Sequence, residues 1–292
     1  MKGPTSNTYI SQRLRLHYVD WGNEDAPPLL LLHGGHDHCR SWDWIAKELS
    51  KDWHVVCPDL RGHGDSQWSP DGDYSRSAFV YDLAQFIHQK KLAPLKIMCH
   101  SFGGIISLCY AGAFPETVSG ILNIEGLGYS DEYQQLRDQR PIDESLRTWI
   151  EEKRAVSARI PRRYKTLDEA LQRMQEQNSY LSDKQARHLT KHGSIQNEDG
   201  TYSWKFDNYL HAAPALTYSQ AQLELLFSNI ACPVSIFWGT DSFLPIPDEN
   251  GWALSALKSP SLTIYENAGH WLHHDQTARF IADVQAWLAQ GS

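Results

Sequence analysis

Short apolar runs alternate with stretches of helical spacing along most of this chain. RLRLHYVDW (13–21) alternates apolar and polar positions, which predicts a half-exposed strand. PLLLLHGG (28–35) is continuously apolar up to two glycines, the pattern of a strand buried on both faces that runs into a tight turn. WHVVCPDLRGHGDS (53–66) repeats that form, with Gly62 and Gly64 letting the chain bend sharply after the strand. A helical pattern follows in SAFVYDLAQFIHQKK, then the strand LKIMC, a helix beginning at Phe102, and the strand SGILNIEG ending near Gly126. The rhythm breaks between about 128 and 228, a polar, charged segment with proline breaks at Pro141 and Pro161 and a helix over LDEALQRMQEQ (167–177). Strand signals resume with PVSIFWG (233–239) and SLTIYENAGH (261–270), and an amphipathic helix closes the chain from about Asp275 to Gln290. This order predicts an α/β protein with a mostly parallel central sheet, helices on both faces, and a helical cap inserted into the core. The core comprises 1–127 and 229–292, the cap 128–228.

Composition narrows the functional classes. The chain has 292 residues, 41% hydrophobic and 11% aromatic, enough for one large core with a lid. Its 27 Lys and Arg against 35 Asp and Glu leave a net charge of -8, which argues against nucleic acid and anionic membrane as partners. MKGPTSNTYI lacks the apolar stretch of a signal peptide and no run is long enough to span a membrane, so a soluble cytoplasmic protein is expected. Cys39, Cys57, Cys99, Cys109 and Cys232 are odd in number and scattered, as reduced buried thiols would be rather than a disulfide framework.

MCHSFGGII (98–106) places Ser101 in a strand-to-helix turn like the G-x-S-x-G elbow that presents a nucleophilic serine, except that Cys99 stands where the first glycine belongs. Such a turn needs small residues two before and two after the serine. Cys99 is compact, and Gly103 and Gly104 supply room on the helix side. At a helix N-terminus Ser101 would also face free N–H groups that favour a developing oxyanion. Cys99 itself, pointing into packed protein, is expected to be inert, and His100 to be structural.

LLLLHGGHDHCRSW (29–42), DLRGHGDS (59–66), CHSFGG (99–104) and NAGHWLHHD (267–275) fall in the order and context of the α/β-hydrolase fold family. The chain resembles its capped group, which includes serine-hydrolase-like proteins, epoxide hydrolases and haloalkane dehalogenases. The last two use an aspartate nucleophile, so Ser101 disfavours their chemistry here. The resemblance implies His270 as the base, in Asn267-Ala268-Gly269-His270. For the third triad member it leaves two acids open. Asp241 follows the strand ending at WGTDS but lies one residue short of the usual loop; Glu125 ends an apolar strand, where a buried carboxylate costs several kcal/mol unless paired. Glu125 is preferred. The resemblance also implies an oxyanion hole from the backbone amides of Gly35 and Phe102.

HGGHDH (33–38) holds three histidines and an aspartate, but not in the H-x-H-x-D-H spacing of binuclear metallohydrolases, so no metal or other cofactor is expected and His33 is read as bracing the oxyanion loop. The expected activity is cleavage of a carboxylic ester through an acyl-enzyme by a Ser-His-acid triad. A thioesterase, a lactonase or a C–C bond hydrolase would use the same residues, and a ligand-binding or receptor-like protein with little turnover is the rival from another class. Trp149, Tyr164, Tyr180, Trp204 and Tyr209 suggest an apolar chamber for a small, ester-like substrate in a monomer or homodimer.

Overall fold

The computed structural model describes residues 3–290. Ten strands and eleven α-helices follow in chain order: β1 (Thr5–Ser11), β2 (Leu14–Asp20), β3 (Pro28–Leu32), α1 (Asp43–Leu49), β4 (His54–Pro58), α2 (Arg76–Lys90), β5 (Leu95–His100), α3 (Phe102–Ala113) and β6 (Val118–Ile124). Then come α4 (Asp131–Gln139), α5 (Ile142–Ser157), α6 (Leu167–Gln177), α7 (Asp183–Gly193), β7 (Ser194–Gln196), β8 (Tyr202–Trp204) and α8 (Gln220–Asn229). The chain closes with β9 (Val234–Gly239), α9 (Trp252–Ala256), β10 (Ser261–Tyr265), α10 (Leu272–Asp275) and α11 (Thr277–Ala289).

Eight strands form one sheet in the order β1-β2-β4-β3-β5-β6-β9-β10, in which the β1-β2 and β2-β4 pairings are antiparallel and the others parallel. Because helices cover both faces, the central strands are buried at nearly every position, and β3 is apolar throughout. Leu30, Leu32, Ile97 and Cys99 join the core with residues of α2, α3 and α8, while Leu29, Leu31, Met98 and Leu122 face the residues of α1 and α11. The parallel strands end along one edge, which gathers the loops that carry His33, Ser101, Glu125 and Asp241.

Three expectations are corrected. The N-terminal residues, read only for a leader, form β1, which pairs with β2 along its whole length. That pairing and the contact between His17 and Asp59 leave β2 far more buried than its alternation predicts; only Arg15 is exposed. The cap does not extend to 228, because α8 packs on α3 and contributes Leu223 and Phe227 to the core. The approach is close enough that a Cβ on Gly112 would lie 2.1 Å from the Leu226 carbonyl oxygen. The cap also includes the small antiparallel pair β7-β8. It is tied to the core where Tyr180 donates to Asp241 (2.6 Å), Gln185 donates to the His274 carbonyl (2.8 Å) and His38 bonds the Leu189 carbonyl (3.0 Å).

Candidate active site

Ser101 sits between β5 and α3 with φ 50° and ψ -118°, a conformation that non-glycine residues rarely adopt. The surroundings hold it there. Its amide donates to the Ile124 carbonyl (2.7 Å) and its carbonyl accepts from Gly104 (2.8 Å). Glycines are required on the helix side, since a Cβ on Gly103 would lie 2.4 Å from the His33 carbonyl oxygen and one on Gly104 would lie 2.6 Å from the Gly126 Cα. On the strand side, Cys99 is fully buried, its Sγ 3.6 Å from the Leu122 carbonyl, and burial pushes its thiol up to about 12. It acts as a small core residue. Cys99→Gly is therefore expected to cost about 2–3 kcal/mol in urea unfolding by opening a cavity and loosening the strand, while changing kcat/KM less than threefold. A large gain in turnover would instead mean that the thiol holds the elbow back.

His270 and Glu125 meet in the interior. His270 Nδ1 lies 2.5 Å from Glu125 Oε2, and both side chains are buried. The carboxylate is further satisfied by the Gly239 amide on Oε1 (2.8 Å) and by the Ser242 hydroxyl on Oε2. Three donors on one buried carboxylate offset its desolvation. Asp241 is exposed and turned away: its carboxylate accepts from Tyr180 and Thr240, and its amide is spent on the Ala268 carbonyl. Thus the loop that offered the rival acid supports Glu125 instead, through Gly239 and Ser242. Neither supporting group carries a sequence signal of its own.

Ser101 and His270 open onto the same cavity of about 970 Å³, which also reaches Gly35 and Phe102. The latter two are neighbours, since a Cβ on Gly35 would lie 3.8 Å from that of Phe102, and neither amide donates to another backbone carbonyl among the described residues. His33 anchors the turn before Gly35. Its Nε2 accepts from the Leu60 amide (3.0 Å), which fixes the tautomer with Nδ1–H donating to the Gly34 carbonyl (2.7 Å). His100 stands against this turn, where a Cβ on Gly34 would lie 2.7 Å from its Nδ1, and its Nε2 bonds the His270 carbonyl (2.9 Å). It braces the loop of His270 from behind.

The histidines of HGGHDH do not converge: His33 holds the turn, His36 stacks on His211 (4.7 Å between rings) and His38 reaches α7. Among the described residues two other groups come close enough to share an ion, His17/Cys39/Asp59 and Asp43/His188/His192. Each is already occupied by protein contacts. Asp59 accepts from His17 and the Cys39 amide, and Asp43 from Arg40 and His188. Of the five aromatic cap residues expected in the chamber, Tyr164 and Trp204 line the cavity. Tyr180 caps Asp241, Tyr209 takes the Lys153 ammonium on its ring, and Trp149 lies outside the lining.

A family model described as alpha/beta hydrolase fold matches residues 27–277, and the chain belongs to that family; a hydrolase is the class that fold and site define. Human serine hydrolase-like protein 2 is 30% identical over 197 residues, 63% of this chain and 60% of that protein, so the chain spans less than two thirds of that relative. Mouse serine hydrolase-like protein is 26% identical over 227 residues, 70% of this chain and 71% of that protein. Among solved structures, the hypothetical protein PA1622 from Pseudomonas aeruginosa PAO1 aligns over 99% of this chain and 100% of its own with a TM-score of 0.85 at 24% identity. The thioesterase domain from the curacin biosynthetic pathway aligns over 98% and 100% with a TM-score of 0.83 at 19% identity. These two likenesses concern the fold. No helix among the described residues is long and apolar enough to cross a membrane.

Proposed function

We propose that this hydrolase is a serine esterase that cleaves a carboxylic ester through an acyl-enzyme, with Ser101 as nucleophile, His270 as general base and Glu125 as the acid that orients it. The observation that carries this reading is the buried pair of His270 Nδ1 with Glu125 in the wall of the cavity onto which the strained Ser101 opens. Glu125 accepts the Nδ1 proton, so the Nε2 lone pair is free to take the Ser101 proton as Oγ attacks the ester carbonyl. The imidazolium that forms is stabilised by the buried carboxylate and returns its proton to the leaving alcohol. The amides of Gly35 and Phe102 stabilise the tetrahedral oxyanion, each donor contributing on the order of 3 kcal/mol. Water, deprotonated by the same imidazole, then releases the acid. Thioesters, lactones and activated C–C bonds present the same carbonyl to this machinery.

The test is intact-mass analysis after a fluorophosphonate probe, with peptide mapping. One equivalent of label on Ser101, absent from folded Ser101→Ala, supports the reading. Folded wild type that takes no label over hours overturns it.

A further inference from the structure

The cavity wall facing Ser101 is unusual for this protein in its charge. A chain with eight more acids than bases lines its cavity with Arg159, Arg162, Arg173 and Lys205 against Asp37 as the one acid. Lys205 is paired with Asp65 (2.7 Å), and Arg173 has a loose partner in Glu176 (3.5 Å). Arg159 and Arg162 form no ion pair among the described residues, although Arg154 and Arg163 beside them pair with Glu151 and Asp199. Arg154 and Arg163 thus spend their charge on the surface network, whereas Arg159 and Arg162, both exposed where they line the cavity, keep theirs outside any ion pair among the described residues.

Arg162 has a defined place on this wall, and Arg159 lines the cavity beside it. The Arg162 guanidinium lies 5.2 Å from the centroid of the Tyr164 ring, whose hydroxyl is held by the Trp204 indole N–H (3.0 Å). Arg159 lies near enough to His211 for its charge, after burial, to lower that imidazole's pKa. His211 stacks on His36, and burial followed by the His211 charge brings His36 down to about 4. Both rings are therefore neutral N–H donors at neutral pH, and the net charge of this wall belongs to the arginines. His36 directly follows Gly35 at φ 58°, so the two stacked rings adjoin the oxyanion turn. The same cavity is also lined by apolar side chains, Met174, Leu181, Leu189, Phe243 and Trp271. An apolar body with a charged end fits such a chamber better than the wholly apolar ligand expected from the aromatic content.

We propose that Arg159 and Arg162 form an anion subsite, and that the substrate is an ester or thioester bearing an oxyanion, carboxylate or phosphate, remote from the scissile carbonyl. Guanidinium groups suit both anions because they donate in pairs to planar or tetrahedral oxygens. This inference rests on the esterase reading for the reaction but not for the binding. Two substrate arms distinguish the sources. Monomethyl glutarate, adipate and pimelate are compared with neutral methyl esters of matched length by pH-stat; acyl-coenzyme A thioesters, with phosphates on the leaving group, are compared with the N-acetylcysteamine thioesters that lack them.

In at least one arm the anionic member is expected to have a kcat/KM tenfold or more above its neutral match at low salt. That ratio should fall about tenfold in Arg159→Gln/Arg162→Gln, and should shrink in 0.5 M salt as the charges are screened. A preference in the ester arm identifies a carboxylate, one in the thioester arm a phosphate. Ratios near one in both arms, unmoved by the double variant, overturn the subsite while leaving Ser101-dependent turnover of neutral esters, and hence the esterase reading, intact. If no ester or thioester is turned over, calorimetric binding of adipate or inorganic phosphate that is lost in the double variant still supports the subsite, and absence of binding by the wild type overturns it.

Discussion

Glu125→Gln lowers kcat/KM for a hydrolysed ester by about 10³–10⁴-fold, whereas Asp241→Asn lowers it less than threefold. The glutamine is nearly isosteric, and in the orientation that keeps its oxygen on the Gly239 amide its NH2 can donate to the Ser242 hydroxyl, so the fold is retained. What it loses is the charge and the acceptor that fix His270 with its proton on Nδ1. An amide N–H turned toward Nδ1 selects the other tautomer, which cannot accept the Ser101 proton. An amide oxygen turned there keeps the tautomer but leaves the imidazolium without a counter-charge in a buried site. Asp241→Asn retains an acceptor for the Tyr180 hydroxyl (2.6 Å in the wild type), and its site is exposed and screened. Steady-state kinetics on variants with wild-type circular dichroism decide the matter. A loss in Asp241→Asn as large as that in Glu125→Gln, or a loss below tenfold in Glu125→Gln, would remove Glu125 from the proposed role.

Why the two acids stayed open in the sequence is a matter of what local pattern can encode. NIEGLG shows that an acid ends a buried strand, and the cost of such a carboxylate implies partners. The partners come from β9 and the loops after β9 and β10, 114 to 145 residues away, and no spacing rule links them. The elbow was legible because its demands are local: a strand, a serine at positive φ, and two glycines whose Cβ atoms would strike neighbouring backbone. The buried parallel strands were legible for a similar reason, since burial on both faces leaves an uninterrupted apolar run. β1 was not, because TSNTYIS carries few apolar side chains and becomes a strand through the ladder offered by β2. Likewise QAQLELLFSN lies within the segment assigned to the cap, and Leu223 and Phe227, four apart on one face with Leu226 packed beside them, commit it to the core. The charge of the cavity wall is tertiary altogether. RIPRRYK shows three arginines within seven residues, all of them exposed, and the fold decides that Arg159 and Arg162 line the cavity while Arg163 pairs with Asp199.

Lowering the pH from 7 to 5 is expected to remove about 5 kcal/mol of stability as the net effect of three histidines around the proposed base and one opposing carboxyl. His100, His273 and His274 are buried, and burial, with the charges of neighbouring histidines, holds His100 and His273 well below the ordinary histidine range and His274 at about 4. In the unfolded chain each takes up a proton as the pH falls through about 6.5, while the folded chain keeps them neutral. Protons therefore favour the unfolded chain: the stabilisation is present above about 6.5 and is lost below it, by about 2 kcal/mol per histidine at pH 5. Asp275, which accepts from the Gly269 amide (2.8 Å), opposes the trend. Burial first, and then the Glu125 charge, raise it to about 6, so its contribution grows as the pH falls, by about 1 kcal/mol once its partial exposure is discounted. The histidines prevail by number. His273 offers the cleanest test: both its ring nitrogens lack partners, and it stacks on Trp42 (4.8 Å between rings) near Phe280. Phenylalanine keeps the stacking and cannot titrate, so in urea melts at pH 7.5 and 5.0 His273→Phe should narrow the gap between the two pH values by about 2 kcal/mol, whatever repacking does to stability at both. Parallel loss in wild type and variant would show that His273 does not set the acid limit. Because His100 carries the His270 carbonyl (2.9 Å), the loop that presents His270 should loosen over the same pH range in which the fold weakens.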